Sequence, residues 1–186
     1  MEKSKWGEKM ERQIKQELRK SLLMNCSLKI PLTIEQLVFF SLLIYIPIHL
    51  IEEWSFGFAN WALKYWQIPG YSEVKWFIHN GYFIFFQILG YILFNLNKER
   101  FLPLGIGIVI WGIMNTANHI ICSIVFRIYE PGIITSLLWI YVFVKMLQIK
   151  DLFNKKGIIF YSILSGLLYW AIPMTAFIEI DKIISR

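Results

Sequence analysis

Residues 34–54 read IEQLVFFSLLIYIPIHLIEEW. From Ile34 to Ile51 the only charged side chain is Glu35. A helix needs about 20 consecutive apolar residues to cross a hydrocarbon layer of ~30 Å, and this run has that length. Thr33 and Gln36 have the spacing of a capping box, in which each side chain satisfies a free N–H of the first turn, and Pro31 suits the approach to it. Pro47 lies inside the run, where it removes one intrahelical hydrogen bond and predicts a bend two residues before His49. The run closes on His49, Glu52 and Glu53. At i, i+3 and i+4 these occupy one helical face.

Four more apolar runs follow, at about 73–94, 102–126, 133–148 and 157–180. The expected fold is therefore all-α: a polytopic membrane bundle of about five helices over residues 31–186. Composition agrees, with 56% of the 186 residues apolar, 17% charged and a mean hydropathy of +0.51. Soluble domains carry about 25% charged residues. Residues 1–30 hold eight Lys/Arg and four Glu, and Met10, Ile14, Leu18 and Leu22 recur every four positions. That pattern predicts an amphipathic helix lying on the inner membrane surface. The loop 55–73 carries Phe56, Phe58, Trp61, Tyr65, Trp66 and Tyr71, a composition suited to the membrane–water interface.

The net charge of +6 and pI near 9.3 point to membrane orientation and not to nucleic acid. With the N-terminus inside, fourteen Lys/Arg fall on the inner side and five on the outer. The positive-inside rule then predicts a cytoplasmic N-terminus and an external C-terminus in a bacterial plasma membrane. No cleavable signal pattern precedes the first run, so helix 34–54 is expected to act as an uncleaved anchor. Cys26 and Cys122 fall on opposite sides, against a disulfide.

That topology places His49, Glu52, Glu53, His79 and His119 in the outer third of the bilayer. Ionisable residues at such depth cost a few kcal/mol and usually mark function. An imidazole with a carboxylate one turn on can hold a divalent metal or form an acid/base couple. The expected metal ligands are His49, Glu52 and His119, with His79 as a further candidate. Glu53 and Glu52 are the expected catalytic carboxylates, and Asn115, one turn before His119, could fix an imidazole tautomer. Cys122 reads as packing. The Glu-Glu pair lacks the arginine four residues on that one class of intramembrane protease uses, since that position is Gly57.

Together these residues resemble the HXXEE-motif family of small membrane proteins. Its pattern joins His-x-x-Glu-Glu to another histidine and a Tyr-x-Pro-Gly motif. Here the matching residues are His49, Glu52 and Glu53, then His119, then Tyr129-Glu130-Pro131-Gly132, in that order. The resemblance implies that these residues act together, with Tyr129, Pro131 and Gly132 in support. It implies no reaction, because the family's function is not established, and it does not speak for His79. The expectation is a membrane enzyme, metal-dependent (zinc or iron) or acid/base, acting on a lipid-like or small hydrophobic substrate. An ion- or proton-binding transporter or sensor, or a non-catalytic accessory protein docking through its aromatic loop, are the alternatives. Expected partners are membrane lipids and not nucleic acid, and the sequence carries no signal for an oligomeric state.

Overall fold

A computed structural model describes residues 32–154 and 157–184, with side chains through residue 176. The amphipathic helix expected at 1–30, and Cys26, lie outside the described residues. What is described is helices and short connections, with no strand among them.

Helix α1 (Ile34–Ser55) starts at the expected capping box. Thr33 Oγ1 accepts from the Gln36 N–H at 3.3 Å, and Gln36 Oε1 accepts from the Thr33 N–H at 2.9 Å. The bend expected at Pro47 takes the form of a π-helical turn, Ile44–His49. Pro47 has no N–H to give, so the ladder slips, and the Leu50 N–H bonds five residues back to the Tyr45 carbonyl. The helix widens directly beneath His49.

A short helix α2 (Phe58–Tyr65) follows within the aromatic loop. Helix α3 (Glu73–Leu96) is capped by Ser72 and helix α4 (Lys98–Phe126) by Asn97. Asn97 alone separates the two, so they form a tight antiparallel hairpin. Because that cap starts the helix, α4 begins at Lys98, four residues before the expected boundary, and absorbs Pro103 with a kink at Phe101. Helix α5 (Ile133–Leu147) is interrupted at Leu137, and helix α6 (Ile158–Ile184) ends the described chain.

Four of these helices, α1, α3, α4 and α6, are long and apolar enough to cross a membrane. Helix α5 is apolar but shorter. Its 15 residues span about 22 Å at 1.5 Å per residue. Leu37, Val38 and Leu42 of α1 pack with Phe94, Ile106 and Val109 of the hairpin and with Met146 of α5. At one end of this core Lys98 Nζ lies 2.8 Å from Glu35 Oε1, tying the start of α4 to the start of α1. The two helices therefore run the same way, and His49 and His119 meet at the opposite end.

Candidate metal centre

At that end His49, Glu53 and His119 converge. Glu53 Oε1 lies 3.3 Å from His49 Nε2 and 3.6 Å from His119 Nε2. The three residues are buried, at 1%, 6% and 1% exposure, and each offers one donor atom within 4.8 Å of the other two. The helix-face spacing brings His49 and Glu53 together at i, i+4. The parallel course of α4 supplies His119. Such a group could hold a metal ion.

The hydrogen-bond network orients the His49 imidazole. His49 Nδ1 is 3.0 Å from Thr135 Oγ1, and that hydroxyl donates to the Gly132 carbonyl. Its proton thus committed, Thr135 accepts from His49 Nδ1–H and leaves Nε2 with a bare lone pair. The Asn115 amide stands 3.1 Å from that Nε2 and donates to it. His119 Nδ1 lies 3.5 Å from Glu130 Oε1. No hydrogen bond joins the two among the described residues, and Glu130 stands behind the imidazole as a neighbouring buried acid. Glu53 is itself held, since the Trp76 indole N–H donates to its Oε2 at 2.9 Å.

The Tyr129–Gly132 turn lies across these three residues. Gly132 has φ +100°, and a Cβ there would stand 2.7 Å from Cε1 of both histidines and 3.0 Å from Glu53 Cγ. Only a residue without a side chain sits this close to the site in this backbone conformation. Burial pushes the Glu130 carboxyl above the ordinary carboxylate range, the His119 imidazole pulls it down, and the Glu53 charge adds to the rise. Burial and the neighbouring Glu52 carboxylate likewise hold the Tyr129 phenol well above its usual value, which keeps it a donor.

Glu52 and His79 stand outside the group. The Glu52 carboxylate turns toward the start of α5, where it accepts from the backbone N–H of Ile134 at 3.1 Å and of Thr135 at 2.7 Å, and from the Tyr129 hydroxyl. A helix N-terminus offers free N–H groups and favourable dipole charge to an anion. With both oxygens so engaged, Glu52 pins α1 to α5, in place of the expected ligand or base. His79 Nδ1 is 3.3 Å from the Tyr71 hydroxyl and its Nε2 is 2.9 Å from Met174 Sδ.

His79 instead lines a cavity of about 240 Å³ that the three converging residues also line. Seven of its sixteen described lining residues are Phe, Trp or Tyr, among them Tyr45, Phe83 and Trp111. Asn80, Asn115 and Asn118 supply its amides. The site residues that sequence reasoning missed are Thr135, Trp76 and Glu130. Glu130 had a signal, since it fills the open position of Tyr-x-Pro-Gly. Thr135 and Trp76 had none, since each acts through a contact more than twenty residues away in sequence.

Set beside known proteins, residues 40–146 match the model of one family, described as a protein of unknown function with HXXEE motif. That span holds His49, Glu53, His119 and the whole covering turn. No curated protein and no solved structure matches the chain.

Proposed function

The chain belongs to the HXXEE family, whose function is unknown, and we propose that it is a membrane-embedded metalloenzyme acting on a lipid-like or small hydrophobic substrate. In this reading the bundle crosses the bilayer five times, α5 being the shortest span. The N-terminus is cytoplasmic and the site lies toward the outer leaflet. Helix α5 can be short because the 129–132 turn folds inward over the site instead of reaching the surface.

The convergence of two imidazole Nε2 atoms on one buried carboxylate oxygen supports the metal assignment. With both Nε2 atoms unprotonated, three acceptors face one another there, and a cation between them relieves the repulsion. Charge-assisted N–H···O bonds close to about 2.7–2.9 Å, and the observed separations of 3.3 and 3.6 Å are longer. Donors bound tetrahedrally at ~2.0–2.1 Å stand about 3.3 Å apart, and donors at right angles about 2.9 Å. Zinc is the ion proposed, because two imidazoles and one carboxylate are a donor set that it accepts. Two histidines and a glutamate make a three-ligand set that leaves a fourth position open, as catalytic zinc sites do. All three residues line the cavity. Thr135 would orient the His49 ligand, and the ion would displace the Asn115 amide from His49 Nε2. A bound zinc would supply a Lewis acid and an activated water to a substrate in the cavity.

Metal content of the purified full-length protein, measured by plasma mass spectrometry, tests the reading. Wild type is expected to carry close to one zinc per chain, and His49→Ala and Glu53→Gln little. Equal metal in all three proteins would refute it and leave Glu53 as a metal-free base between two imidazoles.

A further inference from the structure

Helices α4 and α6 touch at backbone level in their lower halves. A Cβ on Gly107 would stand 2.6 Å from Ser165 Cβ and 3.1 Å from the Gly166 nitrogen. Small residues of this kind let apolar helices approach closely. Two to three turns further along, the same helices form facing walls of the cavity, Asn115 and Asn118 from α4 and Trp170 and Met174 from α6. The cavity therefore occupies the space between two helices that are closed below it.

Two observations say where it opens. Among its described lining residues only Asn118 and Trp170 are exposed, and they sit on those two helices. Their neighbours one turn away, Ile121 on α4 and Leu167 on α6, are exposed aliphatic side chains. The opening is rimmed by hydrocarbon. Asn118 lies eight residues before the end of α4, about 12 Å along the axis from it. A mouth at that depth, on an apolar face, opens into lipid and not into water.

The lining also limits what enters. Among the described residues it contains no Lys or Arg, and its one carboxylate is Glu53. A phosphate or carboxylate headgroup would find no arginine or lysine of the kind that recognises such groups. We infer that the cavity takes an uncharged, bilayer-dissolved molecule with an apolar body and one polar group, admitted sideways between α4 and α6 past Asn118, Trp170 and Met174. Its polar group reaches the Glu53 end while its body lies against the aromatic wall. Met174 lies one turn beyond Trp170 on α6 and lines the cavity, with its sulfur 2.9 Å from His79 Nε2 of α3. The inference rests on the membrane reading above but not on the metal.

The test uses full-length protein in phosphatidylcholine nanodiscs and a long-chain alcohol with a photoactivatable diazirine next to its hydroxyl. Adducts are mapped by peptide mass spectrometry. Labelling is expected on Glu53 and Asn115, at the end that the hydroxyl reaches, and is expected to be displaced by unlabelled hexadecanol, but not by dodecyl phosphate. Met174→Trp narrows the mouth from α6 and is expected to cut that labelling at least fivefold, whereas Leu168→Trp, on the exposed face of α6, leaves it unchanged. Should M174W not fold, Asn118→Trp narrows the same mouth from α4. Labelling confined to outward-facing residues, unchanged labelling in a folded plug variant, or equal displacement by dodecyl phosphate would overturn the inference. Because the adducts need no metal, cavity labelling in a protein that binds no zinc sinks the metalloenzyme reading alone.

Discussion

Gly132→Ala puts the site's geometry to its sharpest test. The substitution adds one methyl group, 2.7 Å from Cε1 of His49, 2.7 Å from Cε1 of His119 and 3.0 Å from Glu53 Cγ. Carbon atoms sit comfortably at about 3.5–4.0 Å, so each of the three must retreat by roughly 0.5–1 Å. Metal–ligand distances tolerate only about ±0.2 Å. An alanine held at the glycine's φ of +100° costs a further ~1–2 kcal/mol, and overpacking of a filled core about 1–3 kcal/mol. If roughly 2–4 kcal/mol of this falls on the metal-bound state, zinc affinity drops about 30- to 1,000-fold. The assay is competition with a chromogenic zinc chelator in detergent, at matched protein concentration. Gly81→Ala is the control, because a Cβ there meets nothing within 4 Å. It is expected to leave affinity unchanged and to add up to ~1 kcal/mol of helix stability. Zinc affinity in G132A within threefold of wild type would show that the turn does not lie against the ligands, and the reasoning would fail.

Two further substitutions separate orientation from assembly. Thr135→Val removes the acceptor at His49 Nδ1 while keeping the shape, and zinc affinity is expected to fall about 10- to 100-fold, as for outer partners of other metal ligands. Thr135→Ser keeps the hydroxyl and is expected to restore most of it, so equal affinities in the two variants would argue against the tautomer role. Glu52→Ala leaves two N–H groups at the start of α5 and the Tyr129 hydroxyl without their carboxylate. The loss is expected to be about 2–3 kcal/mol, or roughly 4–12 °C in thermal midpoint, with zinc per folded chain unchanged. Loss of zinc without loss of stability would instead return Glu52 to the ligand set.

Much of this architecture could be read from the residues because it rests on local rules. The capping box at Thr33 and the disturbance at Pro47 depend on neighbours within one turn, and both occur where the spacing puts them. The apolar runs located the helices for the same reason. The division of labour between Glu52 and Glu53 was hidden. Both lie on the face of His49, and periodicity cannot separate i+3 from i+4. Glu52 is turned aside by the N-terminus of α5, some eighty residues away, and Glu53 is held by Trp76 of α3. His79 reads as a ligand by residue type and shared depth, yet α3 delivers it to the cavity wall. Contacts of this range depend on the packing of whole helices, which no local pattern encodes.

The Glu52 clamp also has a consequence for biosynthesis. Its acceptors are filled by Tyr129, Ile134 and Thr135, so the donors emerge 77 to 83 residues after the carboxylate. At about 5–20 residues per second of synthesis, the first helix exists for roughly 4–17 s before those donors are made. During that interval the chain holds Glu52 with its partners still unsynthesised, and His49 without Thr135. A nascent chain ending at Phe126 would contain every residue of the converging triad and still lack the turn that closes over it. The first residues of α5 therefore mark the moment at which the Glu52 clamp can close.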